Sequence, residues 1–261
     1  MTAELHILSL KTLEQFDRCV EMQVSTWGYS PGEVIPRRAY LLSSRIGGQV
    51  LGAFDGDRMI GFAMALPGYR DGMPYLHSHQ LAVLPEYRNT GIGRGLKLAQ
   101  RDDAIARGFE LMEWTFDPLE IKNAYFNLHR LGAIARRYAA DFYGPSSSPL
   151  QGGLPTDRLY AEWWLRSPRV LGVLGGEAQT TPISTRISVP AEISLWKQDP
   201  GQRILAAELQ SRNRQALENA FAQGLAVVDY ERDAEGNGAY LLGLYAAPLA
   251  AASAAPRTGS R

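Results

Sequence analysis

An alternating run from Pro74 to Val83 leads through Pro85-Glu86-Tyr87 into Arg88-Asn89-Thr90-Gly91-Ile92-Gly93, and a helical pattern opens there that stops at Gly108. A strand that feeds a short Gly-rich turn and then a helix restricts both fold and ligand. The first turn of a helix leaves backbone N–H groups without partners, and with the helix dipole these favour an anion. Gly91 and Gly93 let the backbone approach a phosphate with no Cβ in the way, and Arg88 and Arg94 add positive charge. The segment therefore predicts a pyrophosphate site. No Gly-Lys-Ser/Thr is present, so it is not a nucleoside-triphosphate loop. The dinucleotide pattern is missing too, because its third glycine position is Leu96.

The rest of the chain frames this segment as an α/β protein. Residues 4–10 read as a strand. Thr12 caps a helix that ends at Trp27-Gly28, and Pro36 opens a second that stops at Gly47-Gly48. Val50–Phe54 and Met59–Leu66 form a hairpin around Asp55-Gly56-Asp57. Past the Gly-rich turn come a strand over Glu110–Thr115, a helix over Ile121–Leu131, an interrupted strand over Ala133–Tyr143, a loop over Gly144–Thr156 and a strand over Arg158–Leu165. Arg166–Pro190 reads as irregular. A strand over Ala191–Trp196, a long helix over Gln202–Gln223 and strands over Ala226–Glu231 and Ala239–Tyr245 then form a small α/β appendage. The Ala-, Ser- and Pro-containing tail from Pro248 reads as mobile.

Val83-x-Pro85-Glu86-Tyr87-Arg88-x-x-Gly91-Ile92-Gly93 closely resembles the signature of the GNAT acetyltransferases, the GCN5-related superfamily, and the order of elements over residues 4–165 agrees. Asn123-Ala124-Tyr125-Phe126-Asn127 and Leu131-Gly132-Ala133 resemble that family's helix and turn after the fifth strand. The resemblance implies a mixed, mostly antiparallel central sheet flanked by helices. Residues 1–165 would be the acyl-CoA-binding catalytic domain, 166–247 a C-terminal α/β extension of a longer branch, and 248–261 the tail. It implies acetyl-CoA or another acyl-CoA as co-substrate. Leu81, Ala82 and Val83 would meet the pantetheine arm, which behaves as an added strand. Arg88, Asn89, Thr90, Gly91, Ile92, Gly93 and Arg94 would hold the pyrophosphate. Asn123 or Asn127, with Phe126 beside them, would meet the pantetheine or its thiol end.

The reaction implied is direct attack of an amine on the thioester. That needs a base for the amine and a proton for the departing thiolate. His79, two residues before Leu81, is the candidate base, at a position where similar enzymes carry Glu; strand alternation places His77 on the same face. Many family members place a Tyr four residues before the Gly that ends the helix. Here that residue is Leu128, and Tyr138 and Tyr143 are the candidate acids. Trp27, Tyr29, Arg37, Arg38, Arg70 and Tyr143 are candidates for the acceptor pocket, where an Arg would favour a carboxylate. Similarity to proteins of N-acylamino-acid metabolism suggests a small-molecule amine, an amino acid, with an acetyl or succinyl group transferred. A protein or peptide N-acetyltransferase and a non-catalytic acyl-CoA sensor are the alternatives.

Composition narrows the partners. In 261 residues Lys plus Arg is 27 and Asp plus Glu is 27, so the basic excess of a nucleic-acid binder is missing. Arg136-Arg137 is a local cluster that could meet an anionic cofactor. The single cysteine, Cys19, excludes an intrachain disulfide and a Cys-rich zinc site and reads as a core residue; no metal is expected. With no apolar run near the roughly 20 residues that span a membrane, the expectation is a cytoplasmic protein with no membrane partner, capable of forming a homodimer.

Overall fold

The computed structural model describes residues 5–177 and 181–246; the tail from Pro248 lies outside the described residues. Helix α1 (Leu13–Trp27) starts with a capping box, in which Thr12 accepts from the Gln15 N–H and the Gln15 side chain accepts from the Thr12 N–H. Gly28, at φ +66°, ends it in the left-handed conformation. Helix α2 (Arg37–Arg45) follows Pro36. Strand β1 (Leu5–Ser9) and the hairpin of β2 (Gln49–Asp55) and β3 (Arg58–Arg70) build the first edge of a sheet, and β4 (Met73–Val83) folds back on β3.

Alternation along these strands sorts their side chains. Val50, Phe54, Phe62 and Met64 pack with Phe16, Cys19 and Tyr40 under α1 and α2. Leu51, Ala53 and Ala63 pack on the other face with Ile92 and Leu96 of α3 (Ile92–Ala106). Cys19 is buried in the first of these clusters, and desolvation pushes its thiol up to about 12.

Strand β5 (Leu111–Phe116) lies parallel to β4, and the two pair at Leu76↔Met112 and His77↔Glu113. Beyond those positions β4 continues to Val83 and β5 to Phe116 with no further register between them. Helix α4 (Ile121–Ala124) continues as a π-helical turn over Tyr125–Arg130, where the Leu131 N–H donates to the Phe126 carbonyl at 3.1 Å. Strand β6 (Ile134–Ala139) pairs with β7 (Arg158–Trp164), and β7 with β5.

The C-terminal part departs from the sequence reading twice. Arg166–Pro190, expected to be irregular, contains α5 (Pro168–Gly175) and β8 (Thr185–Val189). The start signal of α5 is Ser167-Pro168: the Ser167 side chain accepts from the Val170 N–H and Pro168 takes the first turn. Ala191–Trp196, expected as a strand, instead leads into helix α6 (Ile193–Gln198), whose buried Ile193 and Lys197 are four residues apart. An apolar run that short has no readable period. Helix α7 (Arg203–Ala222), β9 (Leu225–Arg232) and β10 (Gly238–Leu244) fall where expected.

Strand β9 pairs with β6 at Ala135↔Val227, so the sheet runs unbroken in the order β1-β2-β3-β4-β5-β7-β6-β9-β10-β8. Every neighbouring pair is antiparallel except β4–β5. This is the mixed, mostly antiparallel sheet flanked by helices that the family resemblance implies. One apolar cluster extends from Leu76, Met112 and Trp163 to Ala206, Leu217, Val227 and Tyr240. Lys197 donates to Asp117 (2.8 Å) and Glu120 (2.7 Å), and the Tyr240 hydroxyl to the Pro118 carbonyl (2.6 Å). Among the described residues no helix is long and apolar enough to cross a membrane.

Candidate active site

The loop after β4 has the geometry that anion binding requires. Asn89 has φ +64° and Gly91 +94°, so the chain doubles back before α3 begins. The first intrahelical bond is from the Gly95 N–H to the Gly91 carbonyl at 2.9 Å. The amides of Ile92, Gly93 and Arg94 therefore have no acceptor within the helix. Thr90 donates to the Tyr87 carbonyl (2.6 Å) and Arg88 to the Val83 carbonyl (3.2 Å), which pin the turn to the strand. Leu81 and Val83 pack with Ile92 and Leu96, while Ala82 faces Phe62 and Tyr40. Among the described residues no group of three or more His, Cys, Asp or Glu is placed to hold a metal ion.

Midway along β4 the register slips. Met64 stands opposite Gln80 but Ala65 opposite Ser78, so His79 is the extra residue of a bulge. Ser78 reaches Lys97 and Gln100 of α3, whereas Gln80 reaches Tyr40 of α2 (2.6 Å) and Gln23 of α1 (2.8 Å). Alternation, which predicted a shared face for His77 and His79, does not hold across this point. Their rings are still neighbours, with centroids 6.1 Å apart. Burial lowers the pKa of His79. His77 is pushed down to about 4, first by burial and then by His79, Lys97 and Arg137.

The connection between α1 and α2 is held against this part of β4. Gln23 donates to the Ile35 carbonyl and accepts from the Ile35 N–H, both at 2.9 Å, and also takes a bond from Gln80. The loop after β6 closes over the same connection. Ser147 bonds Glu33 and the Ser30 N–H, and Ser148 donates to the Trp27 carbonyl (2.8 Å). The Trp27 and Tyr29 rings meet at a tilt with centroids 5.5 Å apart, Arg158 lies over the Tyr143 ring, and the Tyr143 and Thr115 hydroxyls are 3.1 Å apart.

Strand β6 carries a second bulge. Ala135 pairs with Ala161 and Tyr138 with Leu159, so Arg136 and Arg137 together stand opposite Tyr160. Both guanidiniums turn to one face, Arg136 donating to Glu162 (2.5 Å) and Arg137 to Glu113. Glu113 and Glu162 are cross-strand neighbours, 1% and 2% exposed, a burial that carboxylates tolerate only when paired. Arg70 adds a second ion pair to Glu113 at 2.7 Å and covers Tyr75, while Arg137 lies 4.1 Å over Tyr160. Three arginines face two buried carboxylates. Asp71 approaches Arg70 at 3.5 Å but is 89% exposed, and screening leaves it little weight. The Nε atoms of Arg136 and Arg137 are buried without a hydrogen-bond partner.

The other sequence candidates fall elsewhere. The Tyr138 hydroxyl donates to Asp157, which also accepts from Arg214, and burial raises its pKa out of any working range. Arg37 pairs with Asp17 (2.9 Å) at a half-exposed site. Asn127 is buried and donates to Asn123 (3.2 Å); Phe126 is half-buried against the core, and Leu128 is fully buried in it. Gln23, Gln80, Glu113 and Glu162 were not singled out in the sequence. Arg136-Arg137 was noted, but for an anionic cofactor, whereas the cluster lies beside Tyr75 at the start of β4. The phosphate loop follows Val83, roughly 25 Å further along the strand at about 3.3 Å per residue.

A strand that parts from its parallel neighbour, followed by a helix start with free amides, leaves room for an extended ligand that ends in an anion. Residues 16–132 match the model of the acetyltransferase (GNAT) family. The fold is similar to that of the ribosomal-protein-S18-alanine N-acetyltransferase from Escherichia coli, with a TM-score of 0.51 at 15% identity, covering 63% of this chain and 96% of that one. It is equally similar to the smu.2055 protein from Streptococcus mutans UA159, with a TM-score of 0.51 at 17% identity, covering 62% and 99%. No curated protein matches the sequence. At these identities the likeness speaks for the fold.

Proposed function

We propose that this protein moves an acyl group from acyl-CoA to the amine of a small molecule that carries a carboxylate, an amino acid being the simplest such acceptor. The observation that carries the donor half is the parting of β4 from β5 above a helix start with free amides. Backbone groups of Leu81 to Val83 would meet the pantetheine arm, and the amides from Asn89 to Arg94 the pyrophosphate. The coenzyme supplies an activated thioester. The acceptor half is supported by the opposite face of the sheet, where Arg70, Arg136 and Arg137 outnumber Glu113 and Glu162 by one positive charge. One carboxylate balances that excess, and a planar guanidinium matches it in shape.

His79 is the proton acceptor in this reading. Its lowered pKa keeps it neutral at physiological pH, in the form that can take a proton from the amine. The α1–α2 connection and the Ser147 loop roof the face from which the acceptor would arrive, and hold Trp27, Tyr29 and Tyr143 near it.

The test begins with calorimetric binding of CoA. Thiol release is then followed with acetyl-CoA and succinyl-CoA against amino acids, their amides, plain amines and a peptide. Amino acids are expected to react at least about tenfold faster than their amides, as a site built for a polar group rejects an analogue lacking it. Arg70→Gln, which leaves two arginines against two carboxylates and keeps Arg137 on the buried Glu113, should bring that ratio toward one. Absence of CoA binding overturns the donor half; equal rates for acids and amides overturn the acceptor half alone.

A further inference from the structure

Lys97 takes no part in the reading above. It projects from α3 into the sheet, where its Nζ donates to Ser78 Oγ at 2.8 Å and lies 3.5 Å from the centre of the Trp114 ring. Ser78 and Trp114 are the residues just past His77↔Glu113, the last pair that β4 and β5 make. Lys97 therefore touches both strands at the point where they part, on the face that α3 covers.

The side chain is 3% exposed and belongs to none of the ion pairs formed among the described residues. The groups around it are neutral or committed. Strand β4 presents Ser78, with the imidazoles of His77 and His79 on either side, and β5 presents Trp114. Glu113 faces the other side of the sheet, paired with Arg70 and Arg137. On α3, Gln100 accepts from Ser78, Arg101 donates to the Leu165 carbonyl, and Asp103 is held by Gln49 and Arg107. Desolvation holds Lys97 well below the ordinary lysine range. The charged form of Lys97 has no anion of its own here, and an anion arriving with a ligand would favour that charged form and supply its partner.

Acyl transfer from a thioester produces such an anion, because sulfur leaves as a thiolate. The two tyrosines that the sequence offers as proton donors, Tyr138 and Tyr143, are held by other side chains. Tyr125 stacks on His129, Tyr138 is bound to Asp157, and Tyr143 meets Thr115. Leu128 holds the position where the family resemblance places a Tyr, and it is buried in the core.

Resting on the proposed acyl-CoA-dependent reaction, we propose that Lys97 is the counter-ion and proton donor for the thiolate that leaves where β4 and β5 part. The N–C bond forms as the C–S bond breaks, and the electron pair stays on sulfur. The Lys97 proton passes to sulfur to give the free thiol, and the proton lost by the amine passes to His79. Exchange with water restores both side chains once the products leave.

Binding and thiolate formation test this separately. Calorimetry first establishes that CoA binds the full chain. The thiol of bound CoA is then titrated by its ultraviolet thiolate absorbance, against free CoA. Lys97 should lower the bound thiol's pKa by at least about one unit, a tenfold change in the ionisation constant. In Lys97→Met, which fills the same space without a charge, the pKa should return to the free value. The variant's kcat should fall about 100-fold, the usual scale for a lost proton donor, with its affinity for acetyl-CoA within about threefold. An unshifted thiol in the wild-type protein overturns the proposal without recourse to the variant, and so does a shift that survives the substitution. If CoA does not bind, the proposal falls together with the donor reading.

Discussion

His77 and His79 are chemically identical and separated by a single residue, yet their surroundings divide them. His77 faces His79, Lys97 and Arg137 from a buried position, and at a pKa of about 4 it stays neutral but is too weak a base for chemistry near neutrality. His79 feels burial alone. A base works in its neutral form, so its rate contribution is full above its pKa in the folded protein and fades as pH falls through it. Burial has moved that value down, so the acid limb of kcat/KM should inflect below pH 6.5, the ordinary imidazole value. A rate profile from pH 4.5 to pH 9 measures this. His79→Gln should lower kcat/KM about 100-fold and remove the inflection. An inflection at or above 6.5, or one that persists in the variant, would assign the base to another group.

Among the elements, the turn before α3 was legible because glycine spacing is a local property, and so were the capped helix α1 and the hairpin of β2 and β3. The bulges were not. Nothing in Ser78-His79-Gln80 or Arg136-Arg137 announces an extra residue, because a bulge is defined by the partner strand's register. The same limit concealed Glu113: in Leu-Met-Glu-Trp it reads as one polar position of a strand, and its burial follows only from arginines brought in by β3 and β6. Helix α6 was misread because its apolar run has no period at that length. The two loop glycines also read alike in sequence, but the fold separates them. Gly91 sits at φ +94°, whereas a Cβ on Gly93 would make ordinary contacts, 3.6 Å from Leu81 and 3.9 Å from Val83. Gly91→Ala should therefore strain the turn by about 1–2 kcal/mol and weaken CoA binding about tenfold by calorimetry, with Gly93→Ala affecting the turn less. Equal effects would place the constraint at ligand contact and not in the turn's conformation.

At the scale of the molecule, the residues after Leu165 share the sheet and the core of those before. Strand β9 continues the sheet from β6, and Lys197 and Tyr240 hold the Asp117–Glu120 segment that leads into α4. A chain ending at Leu165 would expose the free edge of β6 and one side of the shared apolar cluster, so it should be recovered as aggregate. The full chain should melt in one transition when followed by both tryptophan fluorescence and far-ultraviolet circular dichroism. A soluble, monomeric truncation or two separate transitions would contradict this. The sheet nevertheless has a seam. Its two halves are stitched in register at Leu76↔Met112 and His77↔Glu113 alone, and the open stretch beyond has backbone groups to offer on both sides. An extended molecule laid into that stretch displaces no ladder bond, so occupancy completes the weave of the sheet and does not compete with it. By mass action, such a guest raises the unfolding free energy of the host with its concentration, so the protein would be least secure across its middle in the interval between substrates.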